Sequence, residues 1–131
     1  MTRINVIPVQ ELHYKHLVAE AREITRVYAI TRNNQRDILG GRKAIPSAYT
    51  LGTGHVLHFC NKLQYITERY QQLTQEMLDR GYKPNPINIK DLLDGIDPKM
   101  YNPYVPTDEA ININRQRINE RLKQMESRGA K

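Results

Sequence analysis

Val56, Phe59, Leu63, Ile66, Tyr70, Leu73 and Met77 recur at alternating steps of three and four. That rhythm tracks the turn of an α-helix and puts all of these side chains on one face. A stripe this long must be covered. A chain of 131 residues suffices for one hydrophobic core, so the simplest cover is the rest of the same domain. A coiled-coil seam between two copies is the alternative. Gly81, directly after Arg80, supplies the C-terminal stop of this helix, which the spacing predicts over HVLHFCNKLQYITERYQQLTQEMLDRGY.

A second stretch, Glu11 to Asn33, repeats the pattern. Leu17, Ala21, Ile24 and Tyr28 share one face, while Lys15, Ala19, Arg22 and Arg26 take the opposite one with Glu23 beside them. Residues 83–106 are too rich in Pro, Asn and Asp for a long helix, although DLLDG allows one turn. Thr107 reads as the N-cap of the last helix, with Asp108 and Glu109 where the helix dipole favours negative charge. Ile111, Ile118, Leu122 and Met125 form its apolar side, and Asn114, Arg117, Arg121 and Arg128 a polar one. The sequence thus predicts an all-α fold: a compact single domain over residues 1–131, with three main helices joined by long loops.

Charge narrows the partners. Twenty Lys and Arg against fourteen Asp and Glu leave a net charge of +6, and two helices carry rows of it. Such rows either face solvent or meet a polyanion. Cys60, the only cysteine, excludes an intramolecular disulfide and reads as a small buried hydrophobe. His13 with His16, and His55 with His58, have the spacing of helical metal ligands, yet no nearby acid or cysteine completes either set. They read as structural or surface histidines. The glycines of GTGH allow another segment to approach closely where His55 starts the second helix. The opening residues lack the apolar run of a signal peptide, and no segment approaches the roughly 20 apolar residues of a membrane span. A soluble, cytoplasmic protein is expected.

Two places can carry chemistry. Removing Met1 from the opening MTRIN would expose the α-amino group of Thr2, a nucleophile. Glu23, flanked by Arg22 and Arg26, is either an ion-pair partner of Arg26 or a catalytic base kept ionised by its neighbours.

MTRIN at the start, HLVAEAREITRV at 16–27, LGTGHV at 51–56 and AININRQRINERL near the end resemble, in register from residue 1 to about 125, a phage enzyme family. These are the UV-repair endonuclease V enzymes, pyrimidine-dimer DNA glycosylases with abasic-site lyase activity. The resemblance implies the Thr2 amine as nucleophile and Glu23 as the catalytic carboxylate. It also implies Arg3, Arg22, Arg26 and Arg117 as DNA-binding residues, with His16 in support. Lys15 and Arg121 stand where the best-known member has Gln and Lys, and join the DNA-binding set; Thr25 stands in place of a proline. The implied partner is double-stranded DNA containing pyrimidine dimers or abasic sites, met by a monomer in the bacterial or phage-infected cytoplasm without metal or organic cofactor.

One departure keeps alternatives open. Family members that recognise dimers well carry an aromatic-rich tail with Trp, whereas this chain has no Trp and finishes with KQMESRGAK. An abasic-site lyase or a glycosylase for another lesion fits the same residues. A non-catalytic helical DNA-binding module would share the basic rows.

Overall fold

The computed structural model describes residues 2–129, the last two by their backbone. The expectations that fall on Met1 and on the Arg128 side chain lie outside the described residues. The helices are α1 (Tyr14–Glu23), α2 (Arg26–Leu39), α3 (His55–Phe59), α4 (Leu63–Asp79), α5 (Ile89–Leu93) and α6 (Asp108–Gly129). Single 3-10 turns lie at Val9–Glu11 and Pro98–Met100, and the described residues contain no strand. The all-α expectation holds, with the short α5 covering most of the DLLDG turn.

Both of the first two expected helices are interrupted. The periodic stretch from Glu11 divides at Ile24 and Thr25, where the Val27 N–H reaches back three residues to the Ile24 carbonyl at 3.1 Å. The Thr25 hydroxyl donates to the Arg22 carbonyl at 3.2 Å, a back-bond of the kind that bends helices. No proline is needed for the kink. The second expected helix breaks between Phe59 and Leu63, where Lys62 leaves helical geometry at φ −127°. Its ammonium donates to the His58 carbonyl at 2.7 Å and so caps the end of α3. The apolar stripe continues across this break because α3 and α4 bury the same side. At the far end Gly81 adopts φ +88°, and the Tyr82 and Gly81 N–H groups return to Met77 and Leu78. This Schellman closure is the expected stop.

Leu17, Ile24 and Tyr28 from the first pair of helices and Phe59, Leu63, Ile66 and Leu73 from the second are buried in one core. α1 packs chiefly on α4, and α2 touches α3 and α5. The Tyr28 and Thr67 hydroxyls meet at 2.7 Å inside it, and burial pushes the Tyr28 phenol up to about 12. Thr107 caps α6 as expected, accepting the Ala110 N–H at 3.0 Å. One placement on α6 differs from the expectation. Asn114, read as part of the exposed polar row, is fully buried, because it lies four residues from both Ala110 and Ile118 on the core-facing side.

Candidate active site

Residues 2–7 form no regular element, yet from Ile4 onward they run into the core instead of fraying. Ile4, Asn5, Val6 and Ile7 are all buried, and the described residues hold no strand to bond their backbone. Buried amides and carbonyls need partners, and here side chains supply them. The Arg3 N–H donates to Glu23 Oε1 at 3.2 Å and the Ile4 N–H to His55 Nε2 at 2.8 Å. The Tyr49 hydroxyl donates to the Ile4 carbonyl at 3.0 Å. Asn114 Oδ1 accepts from the Val6 N–H at 2.6 Å and more loosely from Ile7, while Arg69 donates to the Ile7 carbonyl.

Under this segment lies a closed polar network. Arg69 Nε and Nη2 grip the two oxygens of Glu20 at 2.8 and 3.0 Å, with both side chains almost wholly buried. Asn5 donates to Glu20 at 2.8 Å, and Asn114 donates to Asn5 at 2.8 Å. Burial disfavours the Arg69 charge, but the Glu20 carboxylate outweighs it and holds the guanidinium above its ordinary pKa. Four polar side chains from the N-terminal segment, α1, α4 and α6 thus fix where that segment runs.

Beside it opens a cleft of about 300 Å³ lined by Arg3, Asn5, His16, Ala19, Glu20, Glu23, Arg117, Ile118 and Arg121. Its two carboxylates are not equivalent. Glu20 is spent on Arg69, whereas among the described residues no ion pair joins Glu23 to Arg26. The ion-pair reading of Glu23 is therefore corrected: the helix interruption at Ile24 and Thr25 lies between the two residues, and the Glu23 carboxylate turns to the Arg3 backbone. Burial, then the nearby Arg117 and Arg121, lower the Arg3 pKa, although a guanidinium stays cationic at neutral pH. Burial likewise lowers His16, aided by His13, Arg121 and Arg3, so its imidazole is neutral at pH 7. Among the described residues, three polar atoms here are buried without a hydrogen-bond partner: His16 Nδ1, Arg117 Nε and Arg121 Nε. Three guanidinium groups on one cleft, those of Arg3, Arg117 and Arg121, suit an anionic partner.

The structure thus brings Arg3, His16, Glu23, Arg117 and Arg121 to one cleft, with Thr2 joined to it through Arg3. Covalent geometry keeps the Thr2 nitrogen within about 3.8 Å of the Arg3 nitrogen that Glu23 holds. Lys15, Arg22 and Arg26 are exposed and lie outside the cleft. Arg22 lines a separate groove of about 360 Å³ with Val18, Ala21, Thr25, Tyr70 and the Pro84–Ile87 loop. Sequence reasoning did not find Asn5, Glu20, Tyr49 or Arg69, nor the use made of His55 and Asn114. One signal was available: Asn114 interrupts an apolar line at helical spacing. The close approach expected at GTGH is made by the N-terminal segment.

A family model described as pyrimidine dimer DNA glycosylase matches residues 1–90. The matched span holds the whole N-terminal segment, Glu23 and the α3 corner, while Arg117 and Arg121 of α6 lie beyond it. Since the match covers well over half of the chain, and covers the part that builds the cleft around residue 3, the protein belongs to the pyrimidine dimer DNA glycosylase family.

Proposed function

We propose that the protein excises pyrimidine dimers from double-stranded DNA with the Thr2 α-amine, exposed by removal of Met1, and then nicks the strand. The observation that carries this reading is the 3.2 Å bond from the Arg3 N–H to Glu23, which ties residue 2 to the cleft carboxylate not already neutralised by Arg69. An α-amine titrates near 7.7–8.0 and a lysine near 10.4, so about a tenth of the amine is neutral at pH 7 while lysine is almost wholly protonated. The amine's lone pair attacks C1′ as the glycosidic bond breaks, and the departing base takes that bond's electrons. Loss of protons from nitrogen and opening of the sugar at O4′ give an imine. Removal of a C2′ proton then expels the 3′ phosphate by β-elimination. None of these steps calls for a metal.

Glu23 stabilises the cationic sugar and imine and moves the proton. Arg3, Arg117 and Arg121, which line the cleft, hold the phosphates around the target with their guanidinium groups. His16, neutral and in the same cleft, supports the sugar or base, and the exposed Lys15, Arg22 and Arg26 extend the contact along the backbone. Reaching C1′ requires a distorted duplex, which costs a few kcal/mol and least at a lesion that already stacks poorly. The protein acts as a monomer on cytoplasmic DNA.

The test is borohydride reduction of the Met1-free protein mixed with duplex DNA containing one abasic site, followed by peptide mapping. A covalent adduct on the Thr2 nitrogen is expected. A protein with a free Thr2 amine that forms no adduct overturns the mechanism and leaves a binding module. Turnover of a duplex carrying one dimer, compared with abasic DNA, then reads lesion preference.

A further inference from the structure

A nucleophile on a segment outside any helix is only as well placed as the groups that set the segment's register. Two residues beyond Thr2, Ile4 is fully buried and both of its backbone groups are held by the corner that begins α3. The Ile4 N–H donates to His55 Nε2 at 2.8 Å, and His55 Nδ1 lies 2.8 Å from the Thr50 carbonyl. A carbonyl only accepts, so Nδ1 carries the proton and Nε2 is the acceptor. These partners leave one tautomer, the neutral one. The Tyr49 ring packs edge-on against the imidazole at 5.3 Å, and its hydroxyl takes the other side of Ile4. The corner itself depends on glycine: Gly52 and Gly54 have φ of +83° and +88°, and a Cβ on Gly54 would sit 3.2 Å from Pro46.

We propose that His55 is a positioning residue for the N-terminal nucleophile: its imidazole, pinned to Thr50, fixes the register of residues 2–4 so that the Thr2 amine meets C1′ in the cleft. The inference rests on the Thr2 amine being the nucleophile. His55 does not line the cleft, so it acts through Ile4 and not on DNA. Misplacement of a reacting group by about 1 Å costs about 100-fold in rate. Only a side chain that accepts at one end and donates at the other replaces the imidazole, which glutamine does and leucine does not.

The experiment measures single-turnover imine trapping by Met1-free protein on saturating abasic duplex, with DNA affinity and helicity measured alongside. His55→Leu is expected to trap about 10- to 100-fold more slowly at nearly unchanged DNA affinity. His55→Gln recovers most of the rate. His58→Leu, one turn along α3, removes an equally buried imidazole whose Nδ1 bonds Pro46 and not the N-terminal segment, and traps at the parent rate. Tyr49→Phe removes only the hydroxyl on the Ile4 carbonyl and slows trapping in the same direction, which keeps the test decisive should His55→Leu fail to fold. Parent-like trapping by His55→Leu, a His55→Gln no faster than His55→Leu, an equal loss in His58→Leu, or an unaffected Tyr49→Phe each overturns the positioning role. A parent protein that forms no Thr2 adduct instead overturns the mechanism beneath it.

Discussion

The apolar stripe that α1 and α4 share and the N-terminal segment are both buried, yet different forces set their registers. Between the helices, Leu17, Ile24, Leu63, Ile66 and Leu73 contribute through area, each side chain worth about 1.5–3 kcal/mol when fully buried. Along residues 3–7, Ile4, Val6 and Ile7 bury area of the same kind, but directional bonds from Glu23, His55, Tyr49, Asn114 and Arg69 to the backbone are added to it. Apolar contact tolerates small shifts, whereas a hydrogen-bonded register does not. A reactive terminus belongs on the second kind of support.

Glu23→Gln should produce the largest effect and separate the two regions most sharply. Glutamine keeps an oxygen for the Arg3 N–H, so the fold and abasic-DNA affinity hold, while turnover falls by about 10²- to 10⁴-fold. Gel-shift affinity and single-turnover cleavage check this together, and parent-like cleavage removes Glu23 from the chemistry.

Next in size is Arg69→Met, which leaves the Glu20 carboxylate buried and unpaired and takes the donor from the Ile7 carbonyl. Breaking such a pair costs about 3–5 kcal/mol, read by denaturant unfolding. Leu63→Ala, at a fully buried position of the stripe, costs about 2–5 kcal/mol through lost transfer energy and a cavity. The comparison is broken if Leu63→Ala slows imine trapping as much as Arg69→Met does at matched residual stability. It is sharpened if only Arg69→Met moves the trapping rate.

The two regions also differ in how far the sequence discloses them. Phe59, Leu63, Ile66, Tyr70 and Leu73 declare their helix face because area burial leaves a periodic trace, and Thr107 and Gly81 declare the ends through local bonds. The interruptions at Thr25 and Lys62 are hidden because the apolar rhythm runs on across them. Glu20 and Arg69 stand 49 residues apart, and nothing local in either marks the pairing. Arg3, His16, Glu23, Arg117 and Arg121 were reached through family resemblance, and the structure gathers them in one cleft; Lys15, Arg22 and Arg26, named the same way, lie outside it. A row of basic residues on a helix states which side is charged. It does not state which members turn into a cleft, since that depends on the segment packed beside the helix.

The smallest expected effect is in pH dependence, and it tests whether the N-terminal segment loosens on its own. Burial lowers the His55 and His58 pKa values below the ordinary 6.5, against the opposing bonds to Thr50 and Pro46. Well above pH 6.5, from about pH 7.5 upward, neither folded nor unfolded chain protonates these rings appreciably, and they add almost no slope. As pH falls through 6.5 the unfolded chain binds protons first, so stability drops until pH passes the lower folded values. Each histidine contributes at most about 1.4 kcal/mol per pH unit over that window. Thermal unfolding should be level on this account from about pH 7.5 upward and fall towards about pH 5, with His55→Gln removing part of the decline. Protonated His55 no longer accepts from Ile4, so as pH falls below the ordinary 6.5 and through the lowered His55 pKa the Ile4 amide should lose hydrogen-exchange protection before the Leu73 amide in α4 does. Equal loss at both amides would mean that the chain opens as one unit and that the His55 bond has no separate hold on the terminus.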